Sequence, residues 1–119
     1  MADGPEHDLL VSGSEEWLAA ARDELAAGRN RVAFESARHA AELACKALLL
    51  RATGSYPKTH DVSGQLAQTG ALPSGITGRR LSRFLADFTA GTYGFSRELT
   101  GAHVEDAIQM AALCVAACR

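Results

Sequence analysis

Arg97 and His103 are separated by five residues in the stretch SRELTGAH. With Thr100 as an N-cap, His103 becomes the third residue of the last helix. The helix dipole at that position favours a neutral imidazole, which can act as a base or accept a hydrogen bond. Arg97 falls just before the same helix start, a place already suited to an anion. An arginine, a histidine and free backbone N–H groups at one spot suit a phosphodiester. The histidine could take the ribose 2′-OH proton, and the arginine could stabilise the charge of the developing phosphorane. That chemistry needs no metal and no cofactor. Two unrelated surface residues would show the same spacing.

A second group is Pro57-Lys58-Thr59-His60-Asp61. A Thr-His-Asp loop entering a short helix can close hydrogen bonds between helices, and it can also do chemistry. His60 could reach a third group, the row Arg38, Glu42 and Lys46. These three stand four residues apart and therefore lie along one helix face. The row reads either as a solvated ladder of ion pairs or as the lining of a cleft. His39 adjoins it on a different face from Glu42 and is expected to be partly exposed. No Gly-rich phosphate loop, G-x-S-x-G motif or paired carboxylates suited to two metals occurs.

The elements that must position these residues are helical. The central stretch, Ala33 to Arg51, places Phe34, Ala37, Ala41, Ala44 and Leu48 at helical spacing, with Leu43, Ala47 and Leu50 widening the stripe. Its helix is expected to start at an Asn30 cap and end near Thr53 at Gly54. A first helix from Ser14 to Ala27 carries Trp17, Leu18, Ala21 and Leu25, with Ser12–Glu15 as a capping box or Ser14 as the cap. Asp61 or Thr59 could cap a short helix to about Gln68. A fourth helix from Arg79 to Thr92 bears Leu81, Phe84, Leu85 and Phe88. The last, from Thr100 to the terminus, bears Val104, Ile108, Ala111 and Val115, flanked by Met110, Leu113 and Cys114. The expectation is an all-α fold, an antiparallel up-and-down bundle of four main helices plus one short helix. Residues 1–12 read as a disordered acidic tail, and 13–119 as one domain.

Charge is unevenly spread. Through Gly28 there are seven acidic residues and one basic; after it there are eleven basic and seven acidic. Arg29 with Arg31, and Arg79, Arg80 and Arg83, form two basic groups that permit an RNA-facing or acid-facing surface. Cys45, Cys114 and Cys118 form no C-x-x-C pair and have no His at a matching spacing, which speaks for buried thiols rather than zinc or a disulfide framework. With no signal peptide and no apolar run long enough to span a bilayer, the expected location is the cytoplasm, with no membrane contact.

The succession of ARHAAELACKALLL, PKTHD, an aromatic-bearing helix, an Arg-containing connector and an amphipathic last helix resembles the HEPN family (higher eukaryotes and prokaryotes nucleotide-binding). The resemblance runs from about Trp17 to Ala116. It implies a helical bundle that pairs as a homodimer with a cleft between protomers, in toxin–antitoxin-like systems beside a small nucleotidyltransferase. It implies a metal-independent endoribonuclease whose Arg and His, four to six residues apart at the start of the last major helix, correspond to Arg97 and His103. Two such motifs would meet in the dimer as one composite site, with Arg38, Glu42, Lys46 and His60 supporting the cleft. The alternative it implies is a non-catalytic module that docks a nucleotidyltransferase partner or a nucleotide. Glu98 and Leu99 stand where many small members have Tyr-Pro after the arginine, and Glu105 stands where one subgroup has Tyr.

Overall fold

The structure is a computed structural model and describes residues 4–87 and 99–119. Those residues form five helices and no strand: α1 Pro5–Ala26, α2 Asn30–Thr53, α3 Ser63–Gln68, α4 Gly78–Leu85 and α5 Gly101–Cys118. The class is all-α as expected. The proportions differ, with three long helices and two short ones. α2 is the centre: it packs along α1 on one side and α5 on another, while α3 and α4 pack on each other and on α2.

Alanine makes this centrality possible. Ala33, Ala37, Ala40, Ala41, Ala44 and Ala47 of α2 are fully buried. A helix with methyl groups on so much of its surface can take neighbours closely on several sides, and alanine is the residue that costs a helix least. The stripe Phe34, Ala37, Ala41, Ala44 and Leu48 is buried throughout, as its spacing predicts. Opposite it, α1 presents Leu18 and Ala21. It also presents Gly13, where an added Cβ would sit 3.1 Å from Leu43 Cδ1, so this crossing is tight. Gly54 ends α2 in the left-handed conformation, with φ +86°, and its N–H bonds to the Leu50 carbonyl.

Three boundary expectations are corrected. α1 begins at Pro5, so residues 5–12 are helix and not a disordered tail, and neither Ser12 nor Ser14 caps it. Proline at the first helical position, with Glu6 and Asp8 in the first turn, is itself a helix-start signal. The start is tied down by tertiary contacts: His7 is buried, and the Tyr56 hydroxyl donates to Glu6 at 2.9 Å. Asn30 does not cap α2; Arg29 holds that position, and the Asn30 side chain donates instead to the Leu99 carbonyl at 3.0 Å. α4 stops at Leu85, short of the expected Thr92, and the end of the expected helix lies outside the described residues. Two apolar positions also differ, since Trp17 and Leu113 are 42% and 44% exposed.

The three cysteines are fully buried and form no disulfide; the Cys45 thiol donates to the Cys114 sulfur at 3.9 Å across the α2–α5 contact. The Cys114 sulfur and burial push the Cys45 thiol well up, and burial pushes Cys118 up. The reactive form of a thiol is the thiolate. An aromatic disulfide reagent is therefore expected to label none of the three in native protein and all three after denaturation. Rapid native labelling would contradict this packing.

Among the described residues no helix is long and apolar enough to cross a membrane, and no cluster of His, Cys, Asp and Glu could hold a metal ion.

Candidate functional site

Thr100 caps α5, and the cap takes His103 into it. The Thr100 hydroxyl accepts from the His103 N–H at 3.3 Å, and the Thr100 N–H donates to His103 Nδ1 at 3.4 Å. Histidine here takes the place that glutamate or glutamine usually fills in a capping box. His103 is thus the third residue of the helix, as expected, with an exposed ring in a fixed orientation. Arg97 lies outside the described residues.

The ring opens onto a groove of about 390 Å³ bounded by α2, α4 and α5. Its apolar floor includes Phe34 and Phe84, which meet edge to face with centroids 5.7 Å apart. Arg80 and Arg83, exposed one turn apart on α4, line it, as do Asp87 and Asp106. The sequence grouped Arg79, Arg80 and Arg83 by proximity in the chain. It gave no sign that two of them would share a groove with His103, because that requires the α4–α5 packing.

Polar contacts add to the buried Leu81, Phe84 and Leu85 in holding α4 there. Thr77 caps the helix by accepting from the Arg80 N–H at 3.2 Å. Asp61 accepts from the Ser63 N–H at 2.9 Å, the Ser63 hydroxyl at 2.6 Å and, through its other oxygen, the Ser82 hydroxyl of α4 at 2.5 Å. Arg38 donates to the Leu85 carbonyl near the end of α4 at 3.4 Å. The Thr-His-Asp loop therefore closes hydrogen bonds between helices, the first of its two sequence readings.

Arg38, Glu42, Lys46 and His60 come together behind this helix. Glu42 receives Arg38 at 3.0 Å, Lys46 at 3.1 Å and His60 Nδ1 at 2.9 Å. Arg38 also forks onto Glu35. Arg38 and Glu42 are 3% and 4% exposed, so this part of the row is not a solvated ladder. None of the four lines the groove of His103. His39 is half-buried with its ring 4.8 Å from Trp17, edge to face, and burial lowers its pKa. At the far end of the bundle, Arg51 donates to the Ala117 carbonyl at 2.9 Å and so satisfies one of the last carbonyls of α5.

Burial alone would raise the carboxyls of Glu42 and Asp61. The hydrogen bonds from His60, Lys46 and Arg38 to Glu42, and from Ser63 and Ser82 to Asp61, outweigh it and hold both below the ordinary range. Their unfolded values are about 4. A depressed folded pKa supplies stability that is complete above the unfolded value and is lost as pH falls through the folded one. The melting temperature is expected to fall steeply below about pH 4, in the range of these unfolded carboxyl values. The fall should be shallower in Asp61→Asn, which melts lower at neutral pH but has less left to lose. Parallel slopes for the two proteins would remove Asp61 from this account.

Set against known proteins, the HEPN domain family model matches residues 8–118, nearly the whole chain. No curated protein and no solved structure gives a match. With a family match of that span over an all-helical fold, the chain belongs to the HEPN domain family.

Proposed function

We propose that this protein is a toxin-like endoribonuclease that acts on RNA without a metal ion, as a homodimer whose composite site joins Arg97 and His103 of the two protomers. The observation that carries the reading is His103 itself: an exposed, oriented ring at the start of the last helix, in a groove with two guanidinium groups. In the reaction the ribose 2′-oxygen attacks phosphorus and the 5′-oxygen leaves. Arg97 stabilises the charge gathered on the phosphorane, and His103 is the general base or acid: it takes the proton of the 2′-hydroxyl or gives one to the departing 5′-oxygen, and solvent water handles the other transfer. Glu42, Lys46, His60 and Arg38 support the site by fixing the helix that bears Arg80 and Arg83. The setting is cytoplasmic, with a nucleotidyltransferase-type antitoxin as partner.

A second reading has its own observation. Asp87 and Asp106 line the groove, and Glu98 follows Arg97; all three repel phosphate. They favour a non-catalytic module that docks a nucleotidyltransferase partner or a nucleotide.

Induced expression in a bacterial host separates the two. Under the nuclease reading the wild type arrests growth, Arg97→Ala and His103→Ala relieve the arrest at equal soluble levels, and purified protein cleaves RNA in the presence of a metal chelator. No arrest, or arrest that both variants retain, favours the docking module.

A further inference from the structure

We infer that the groove between α4 and α5 binds a phosphodiester of single-stranded RNA, with Arg80, Arg83 and the Nε2–H of His103 as its donors. This rests on the RNA reading above and narrows it: His103 binds the phosphate, and the proton of the ribose hydroxyl goes to solvent water rather than to the imidazole.

The argument starts from the cap. A neutral imidazole has one donor nitrogen and one acceptor. Nδ1 accepts the Thr100 N–H, so in the capped helix the proton sits on Nε2. The ring edge left to the groove is therefore a donor. To act as a base at Nε2 the ring would have to carry its proton on Nδ1, where it would oppose the Thr100 N–H and undo half of the capping box. Arg80 and Arg83 add donors from α4, and guanidinium is the side chain best fitted to phosphate oxygens. Neither arginine is needed for packing, since both are exposed.

The charges around the ring decide which phosphate. Among the described residues the charged lining is Arg80, Arg83 and Asp87 from the α4 side and Asp106 from α5; α2 contributes Phe34. A free phosphate dianion gains little from such a site, whereas a singly charged phosphodiester meets directed donors with less repulsion from the carboxylates. The Phe34–Phe84 floor gives the adjoining sugar and base an apolar surface.

The test uses full-length protein and a 2′-O-methyl RNA single strand, which can bind but cannot be cleaved. Nitrogen-15 NMR of the histidine rings should show His103 as the Nε2–H tautomer near neutral pH. Arg80→Ala, Arg83→Ala and His103→Ala should each weaken binding about tenfold, the cost of one charge-assisted or directed hydrogen bond. His103→Gln keeps a donor and should bind within about threefold of wild type. Unchanged thermal melts would show that the arginine variants remain folded. An Nδ1–H tautomer, or full binding by an Arg80→Ala/Arg83→Ala double variant, overturns the inference. Displacement of the RNA by an equal concentration of inorganic phosphate would also overturn it, by assigning the donors to a free anion. Cleavage of ordinary RNA is scored separately. RNA bound as predicted but never cleaved sinks the nuclease reading alone, whereas cleavage by wild type that His103→Gln abolishes sinks this inference alone.

Discussion

Glu42→Ala is expected to cost about 3–5 kcal/mol, the penalty for breaking a buried ion pair from one side. Total stability for a domain of this kind is about 5–15 kcal/mol, so the variant should be close to unfolding. Glu42 is the only acceptor that Arg38, Lys46 and His60 share among the described contacts. Removing it takes from Arg38, itself 3% exposed, one of the two carboxylates it contacts among the described residues. Glu42→Gln keeps the shape and an acceptor and should cost less, about 1.5–3 kcal/mol. Lys46→Ala should cost less again, because the Lys46 side chain is less deeply buried than that of Glu42, 13% against 5% exposed, and its loss leaves Glu42 with Arg38 and His60. A paired replacement, Glu42→Leu with Arg38→Leu, should cost less than the sum of the single changes, since the guanidinium and carboxylate that are buried together are then both removed. Urea denaturation midpoints measure all four. A Glu42→Ala protein within about 1 kcal/mol of wild type would show that water relieves the network and that its burial overstates its importance.

That network also connects the fold to the groove. Glu42 orients Arg38, Arg38 reaches the last turn of α4, and Asp61 holds the middle of the same helix through Ser82. α4 has eight residues and is too short to be stable alone. Its apolar side, Leu81, Phe84 and Leu85, is buried. The polar anchors then fix which way its other side, with Arg80 and Arg83, is presented. Residues that never touch the groove can thus set its shape.

What could be read in the sequence follows the range of the interactions involved. α2 was legible because its stripe repeats locally and ends at a glycine, and both signals operate within one or two turns. His103 was legible as the third residue of α5 because a threonine cap acts over three residues. The start of α1 was misread because Pro5, Glu6 and Asp8 look like a polar tail. Their helical order depends on Tyr56 and on the burial of His7, contacts that chain order does not reveal. The row Arg38–Glu42–Lys46 was placed on one face correctly. Its burial was not legible, because it requires α4 and the loop before α3 to close over it. The union of His103 with Arg80 and Arg83 is likewise tertiary. Arg97 remains a reading of spacing and family membership.

A composite site makes a large and specific prediction for Arg97. Losing a group that stabilises transition-state charge typically costs about 10²–10³ in rate, so Arg97→Ala and His103→Ala should each be nearly inactive. Mixed with each other, they should recover. In a mixed dimer one protomer keeps Arg97 and the other keeps His103, so the interface still holds one complete pair. Random exchange makes half the dimers mixed, each with one of two pairs intact, which gives roughly a quarter of wild-type cleavage. An arginine and histidine that act within one protomer give no recovery, because no protomer in the mixture has both. Differently tagged variants, co-expressed and purified through both tags, isolate the mixed species and show that exchange occurred. Cleavage by that species at about half the wild-type rate is expected. Inactivity of a verified mixed dimer would exclude the shared site, even if each motif contributes to RNA cleavage on its own protomer.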